Sequence, residues 1–176
     1  MGREVVKAVM AEPDLRLVGA IDRVGVGEDA GRVAGTREAG VAIRPPEELE
    51  AVLEATDPEV AVDFTKGPEA LELFRAAVPR NTSPVVGTTG MADEALAEAR
   101  ALCEQHSVGA LIAPNFAIGA VLMMKFAQEA AKYLGDVEII ELHHERKMDA
   151  PSGTAKRTAQ LIAEARTAQR AERPAT

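Results

Sequence analysis

Cysteine and basic residues are scarce in this chain, and each shortage excludes a class of protein. A single cysteine, Cys103, forbids an intrachain disulfide and fits a reducing compartment, so we expect a cytoplasmic location. Acidic residues outnumber Lys and Arg by 28 to 20, and the net charge of -8 argues against nucleic-acid binding. No apolar run is long enough to span a bilayer, and the N-terminal residues contain no apolar signal-peptide core. With 47% hydrophobic residues, the 176-residue chain is typical of a soluble globular protein.

Segments with strand and helix patterns alternate along the sequence. Apolar strands are predicted at 15–22, 59–65, 83–90, 108–114 and 137–144. Helices are predicted at 2–11, from Pro45, and at 67–78, 92–105, 118–133 and 152–170, with a Gly-rich surface loop at 24–40. This alternation predicts an α/β fold, with a doubly wound, mostly parallel, Rossmann-like sheet between helices. Cys103 falls in one of the helices, where we expect a small buried apolar side chain rather than a nucleophile.

Polar residues gather at the predicted strand ends, which is where open parallel sheets bind their ligands. Asp22 is placed to accept hydrogen bonds from the ribose hydroxyls of a dinucleotide, and Arg23 to meet a ribose 2′-phosphate. On its own, a pair of this kind is more typical of solvated loop charges. The turn Gly87-Thr88-Thr89-Gly90 offers backbone N–H groups to a flat ring or a phosphate, or is a plain glycine turn. Asn115 offers an amide, or caps the helix that follows it.

The segment 141–154 concentrates groups suited to acid catalysis and anion binding. His143 and His144 are candidates for proton transfer near neutral pH, and Lys147 is a compact cation. Pro151-Ser152-Gly153-Thr154 starts a helix, whose free N–H groups and positive dipole end favour a carboxylate or phosphate. A bare pair of histidines would indicate only an exposed strand end, but the combination points to a site. Adjacent histidines with a distant cysteine do not suit zinc, so no metal is expected.

The segment Glu141-Leu-His-His-Glu-Arg-Lys-Met-Asp-Ala-Pro-Ser-Gly-Thr154 closely resembles the signature of the dihydrodipicolinate reductase family, also called 4-hydroxy-tetrahydrodipicolinate reductases. Val62-Asp-Phe-Thr65, Val86-Gly-Thr-Thr-Gly90 and Ala113-Pro-Asn-Phe-Ala-Ile-Gly119 resemble the family's other blocks in the same order. The resemblance covers essentially the whole chain. It implies an oxidoreductase of lysine and diaminopimelate biosynthesis, usually a homotetramer. Such an enzyme reduces a cyclic dicarboxylate, 4-hydroxy-tetrahydrodipicolinate, to tetrahydrodipicolinate with NADPH or NADH.

The resemblance also implies a role for each candidate residue. His143 would supply the proton, and Lys147 would be the second catalytic donor. The substrate would bind His144, with Gly153 and Thr154 gripping a carboxylate and Ser152 adjacent. The cofactor's adenosine ribose would contact Asp22 and Arg23. Asp22 favours NADH and Arg23 favours NADPH, so the pair leaves the cofactor preference open. The cofactor's nicotinamide half would meet the remaining candidates, Gly87, Thr88, Thr89, Ala113, Pro114, Asn115 and Phe116.

The same resemblance divides the chain into two domains. It implies an NAD(P)-binding domain over 1–116 and the start of a substrate-binding and tetramerisation domain over 117–176. In the family, Met-Gly-Arg lies inside a Gly-rich loop after the first strand, and the second domain continues past the helix that Ser152 starts. We therefore expect both domains to be incomplete and these 176 residues alone to bind NADPH weakly. A catalytically silent fragment that binds a nucleotide or a dicarboxylate, and another nicotinamide-dependent reductase on the same fold, remain alternatives.

Overall fold

The chain folds into two compact units, Met1–Ala113 and Pro114–Thr176. The computed structural model describes residues 1–65, 67–88, 90–113, 115–143, 145 and 150–172, with side chains as far as residue 168. Within that part of the chain, no helix is both long and apolar enough to cross a membrane.

The first unit contains two parallel sheets. β1 (Ala20–Ile21) pairs with β2 (Ile43–Arg44), while β3 (Val60–Asp63), β4 (Ser83–Val86) and β5 (Leu111–Ile112) form a second sheet in that order. The helices of this unit are α1 (Gly2–Ala11), α2 (Ala30–Ala34), α3 (Leu49–Thr56), α4 (Gly67–Ala77) and α5 (Asp93–His106). Strands connected by helices and paired in parallel confirm the predicted α/β class.

The core of the first unit lies where α4 and α5 cover the second sheet. Phe74 and Ala77 of α4, Val86 of β4 and Ala99 of α5 are at most 1% exposed. Phe74 and Ala77 are separated by one helical turn, so both face the sheet. Full burial of a side chain such as Phe or Val stabilises a fold by about 1.5–3 kcal/mol. This core holds the carboxyl ends of the strands at a fixed edge.

The prediction of a plain surface loop over 24–40 is wrong in part. Residues Ala30–Ala34 form α2, and Asp29 precedes it as the N-cap. The Asp29 carboxylate accepts hydrogen bonds from the backbone N–H groups of Arg32 at 3.0 Å and Gly40 at 2.8 Å, and also from those of Ala39 and Val41. One half-buried carboxylate therefore connects residues 32 to 41 of the loop, through contacts that local sequence patterns do not reveal.

The second unit is built on two helices, α6 (Ile118–Ala130) and α7 (Gly153–Glu172), which pack against each other. Met124 of α6 and Ile162 of α7 are buried in this contact region. Arg166 donates hydrogen bonds to the backbone oxygens of Leu134 and Gly135, which ties α7 to the turn after α6.

The strand predicted over 137–144 is not formed in the described part of that segment. Residues 137–143 belong to neither a helix nor a strand, and His144 lies outside the described residues. Ile140 and Leu142 are 81% and 91% exposed, although their pattern is that of a strand. A strand requires a hydrogen-bonded neighbour, and no described residue pairs with this segment. The segment nevertheless leads into the candidate site.

Candidate active site

Within each sheet of the first unit, the carboxyl ends of the strands lie side by side. Asp22 follows β1, and its backbone N–H donates to the Arg44 oxygen at the end of β2, at 3.0 Å. In the second sheet, Gly87 N–H donates to the Asp63 oxygen at 2.8 Å, and Ala113 N–H to the Val86 oxygen at 2.9 Å. The predicted cofactor residues Gly87 and Ala113 thus lie in register, immediately after β4 and β5.

Arg23 connects the end of β1 to the second sheet. Its Nη2 lies 3.3 Å from Oε1 of Glu69, in the first turn of α4, and α4 follows β3. The Arg23 side chain is 72% exposed, so the ion pair is weak and the guanidinium can turn toward another anion. Asp22 Oδ1 accepts a hydrogen bond from Val24 N–H at 3.0 Å, which holds the turn that presents both side chains.

Glycines at the start of the loop after β4 and at the start of α4 leave almost no room for a side chain. A Cβ on Gly87 would lie 2.1 Å from Cε1 of Phe64, and a Cβ on Gly67 would lie 2.3 Å from the Gly90 oxygen. Gly90 itself has φ +112°, a conformation that favours glycine, and nothing lies within 4 Å of where its Cβ would be. The loop is therefore packed on the protein side and open on the other. Thr88 is half-buried within it, and Thr89 lies outside the described residues.

In the second unit, Ser152 is locked at the start of α7. Ser152 is only 7% exposed, and its Oγ accepts a hydrogen bond from Ala155 N–H at 3.1 Å. Its N–H donates to Oε1 of Glu141 at 2.8 Å, and its carbonyl accepts from Lys156 N–H. Ser152 is thus the helix cap, which leaves the first-turn N–H groups of Gly153 and Thr154 without acceptors inside the helix.

Asn115 lies against the same helix start. Its Nδ2 donates to Oγ1 of Thr154 at 3.2 Å, and its Oδ1 accepts from Ala117 N–H at 2.8 Å, just before α6 begins. Asn115 thereby joins the starts of α6 and α7. It does not occupy the N-cap position of α6, which is Ala117. Phe116, next in the chain, is 45% exposed.

His143 lies beside Glu141. Its Nδ1 is 3.8 Å from Oε2 of Glu141, and its side chain is 40% exposed. The other members of the predicted catalytic and substrate set in this stretch, His144 and Lys147, lie outside the described residues, as does Pro114. The structure therefore brings together His143, Ser152, Gly153, Thr154 and Asn115 within the second unit.

Sequence reasoning missed Glu141 as a site residue, although it opens the motif. Its carboxylate contacts both Ser152 and His143. The signal was present, since residues i and i+2 of an extended segment lie on the same side. Asp63 was also missed. It is 9% exposed and accepts hydrogen bonds from the N–H and Oγ1 of Thr65 at 2.6 and 2.9 Å, which shapes the turn after β3.

Two cavities lie away from these residues. One of about 490 Å³ is lined by the stretches 10–17 and 37–39 of the first unit. The other, of about 400 Å³, is lined by Val137, Ile139 and residues of α7 between 159 and 167. Cys103 packs against the core, and burial raises the pKa of its thiol, with the Glu104 charge adding to the effect. A less acidic thiol is a poorer nucleophile at neutral pH, in keeping with the expected apolar role.

The first unit offers groups suited to a nucleotide at its strand ends. It presents an acid beside an exposed cation at one strand end and an open glycine backbone at another. These are the groups that hold a ribose, with or without a 2′-phosphate, and a flat ring. The described residues Asp22, Arg23, Gly87, Thr88 and Ala113 of this unit would take part.

Comparison with known proteins gives one consistent result. The family profile described as "Dihydrodipicolinate reductase, N-terminus" matches residues 1–116, and the profile described as "Dihydrodipicolinate reductase, C-terminus" matches residues 119–175. The 4-hydroxy-tetrahydrodipicolinate reductase of Moorella thermoacetica is 51% identical over 163 residues, which are 93% of this chain and 60% of that protein. The reductase of the same name from Desulfitobacterium hafniense is 49% identical over 94% of this chain and 62% of its own.

A solved structure agrees with the sequence matches. Dipicolinate-bound dihydrodipicolinate reductase from Paenisporosarcina sp. TG-14 is similar, with a TM-score of 0.74 and 44% identity over 94% of this chain and 62% of that chain. The chain therefore spans about three fifths of the length of the proteins it matches.

Proposed function

The chain belongs to the dihydrodipicolinate reductase family, and from that premise we propose that it reduces 4-hydroxy-tetrahydrodipicolinate to tetrahydrodipicolinate, in lysine and diaminopimelate biosynthesis. One observation supports this most directly. Glu141 contacts both His143 and the start of α7 within one unit, through a 2.8 Å hydrogen bond from Ser152 N–H and a 3.8 Å approach to the His143 ring. A proton donor beside free helix N–H groups is what protonation of a bound dicarboxylate needs.

The residues divide the work as follows. A nicotinamide cofactor, when bound, supplies a hydride. His143 provides the proton from its ring nitrogen, and Lys147 is the second donor. The N–H groups of Gly153 and Thr154 bind one substrate carboxylate at the positive end of α7, with His144 binding the substrate as well. Ser152 shapes this turn by capping the helix, and Asn115 holds Thr154 through its hydroxyl.

Turnover is the direct test of this function. The substrate would be generated from pyruvate and aspartate semialdehyde with the preceding synthase, and the loss of NADPH absorbance followed. We expect His143→Ala and Lys147→Ala to lower kcat at least 100-fold, because general acid catalysis contributes about 10²–10⁴-fold. His106→Ala, at the exposed end of α5, is the matched control and should leave kcat unchanged. Absence of turnover by the unaltered chain, with dicarboxylate binding retained, would instead identify a silent binding fragment.

Cofactor preference depends on Asp22 and Arg23. We propose that Arg23 meets the 2′-phosphate of NADPH and that Asp22 accepts hydrogen bonds from the ribose of NADH. Arg23→Ala should therefore weaken NADPH binding about 10-fold or more, with little change for NADH, since one charge-assisted contact contributes roughly 1.5–3 kcal/mol. Asp22→Ala should instead weaken NADH binding, with little change for NADPH. Fluorescence titration of both variants with both cofactors measures this, and equal losses for the two cofactors would contradict the assignment.

The remaining parts of the proposal follow the family. We propose a cytoplasmic enzyme that assembles as a homotetramer. Sedimentation measurements on the chain test the assembly. A different reductase on the same fold would oxidise NADPH with another substrate and show no turnover with this cyclic dicarboxylate.

A further inference from the structure

We propose that Glu141 is a positioning residue for the reaction, which sets both the orientation of His143 and the shape of the carboxylate-binding turn. The inference rests on the proposed function. The two oxygens of its carboxylate face different groups. Oε1 accepts a hydrogen bond from Ser152 N–H at 2.8 Å, and Oε2 lies 3.8 Å from Nδ1 of His143.

The contact with Ser152 fixes the start of α7. Ser152 is almost fully buried, and its Oγ is already used to cap the helix through Ala155 N–H. The backbone N–H of Ser152 makes a separate hydrogen bond, which it donates to Oε1 of Glu141. A buried N–H without an acceptor is costly, so the carboxylate holds the turn in the conformation that presents Gly153 and Thr154.

The contact with His143 selects which ring nitrogen delivers the proton. At 3.8 Å, Oε2 is beyond hydrogen-bond distance of Nδ1, and the two groups form an ion pair when the ring is protonated; catalytic contacts are commonly long in the absence of ligand. A carboxylate on the Nδ1 side holds a proton there, so a doubly protonated ring gives up the proton on Nε2, at its opposite side, and is left as the neutral Nδ1–H form. Glu141 is 25% exposed, so water screens this interaction only partly.

Two substitutions separate the two contacts. Glu141→Gln keeps an oxygen that can accept from Ser152 N–H but removes the charge that faces His143. We expect kcat to fall about 10-fold or more, since outer partners of this kind typically contribute 10–100-fold, while KM changes less than about twofold. Glu141→Ala removes both contacts, so KM should rise as well. Glu141→Asp keeps the charge and should recover part of kcat.

Glu138→Gln is the matched control. Glu138 lies in the same segment three residues earlier, is exposed, and lies outside the set of residues placed in the site. A loss of kcat in Glu138→Gln equal to that in Glu141→Gln would overturn the proposal, because a general loss of charge from the segment would then explain both. Unchanged kcat and KM in Glu141→Gln would overturn it as well.

A measurement without turnover distinguishes failure of this inference from failure of the proposed function. Nitrogen-15 NMR of labelled His143 reports which ring nitrogen holds the proton in the neutral form. We expect the unaltered chain and Glu138→Gln to favour Nδ1–H, and Glu141→Gln to shift toward Nε2–H. Titration with dipicolinate, a stable dicarboxylate, should show weaker binding in Glu141→Ala only. If these shifts occur in a chain that does not reduce the substrate, the proposed function fails and the positioning role stands. An identical tautomer in all variants refutes the role of Glu141.

Discussion

Replacing Gly87 with alanine would place a methyl group where the structure leaves no room for one. The added Cβ would lie 2.1, 2.5 and 2.7 Å from three carbons of the Phe64 ring, whereas ordinary contact begins at 3.4 Å. The ring must therefore move by more than about 1 Å, and overpacking of this kind typically costs about 1–3 kcal/mol. We expect Gly87→Ala to lower the free energy of unfolding by about 2 kcal/mol. Urea unfolding followed by circular dichroism measures it.

Two comparisons make this prediction specific. Gly109→Ala adds the same methyl group where nothing lies within 4 Å and φ is not positive. It should leave stability unchanged or raise it by up to about 1 kcal/mol, through a less flexible unfolded chain. In a Phe64→Ala background, Gly87→Ala should cost less than about 0.5 kcal/mol, because the clashing ring is gone. A cost for Gly87→Ala that matches Gly109→Ala, or that persists without the ring, would refute steric crowding as the cause.

Three further predictions concern single side chains. The backbone N–H of Ala39, with those of Arg32, Gly40 and Val41, holds the pKa of Asp29 below 3.8. A lowered pKa in the folded chain stabilises the fold at any pH above the pKa of the unfolded chain, and this stabilisation is lost as the pH falls through the pKa of the folded chain. The difference in melting temperature between the unaltered chain and Asp29→Asn should therefore narrow below about pH 4. A constant gap would argue against it. Ser152→Ala removes the cap of α7 and should cost about 1 kcal/mol in urea unfolding, with no loss meaning that another group caps the helix. Thr82→Val breaks a fully buried hydrogen bond to the Pro58 oxygen at 2.8 Å and should cost about 1–2 kcal/mol. Thr56→Val, at a half-buried bond within a helix, is its control and should cost less.

Local patterns were sufficient for most helices and for the fold class. The predicted helix 2–11 coincides with α1, because its apolar spacing is bounded by Pro13 shortly after its end. The strands predicted in the first unit were placed correctly but are shorter than predicted, as in β1, which keeps only Ala20–Ile21, whereas β2 was missed and the strand predicted at 137–144 is not formed in its described part. Apolar patterns mark where a strand can form, whereas its length depends on the neighbour that pairs with it.

The features that sequence reasoning missed depend on contacts between distant residues. α2 exists because one carboxylate, Asp29, reaches N–H groups as far as Val41. Glu141 was visible in the motif, yet its hydrogen bond to Ser152 spans a stretch whose path no periodicity predicts. The candidate residues themselves came from chemistry that is local in sequence, which is why so many of them fall at strand ends and helix starts.

The exposed segment 137–142 has a consequence for handling the protein. Its apolar side chains, Ile140 and Leu142 among them, are interrupted only by Glu138 and Glu141. Charged residues placed this way act as gatekeepers that keep unpaired, β-prone segments from associating. Since the chain's isoelectric point is near 5.0, mild acidification removes the net charge that helps to keep the chain in solution. Glu138, whose side chain is exposed, therefore protects the solubility of the chain, while the other acid of the segment, Glu141, contacts Ser152 at the candidate site.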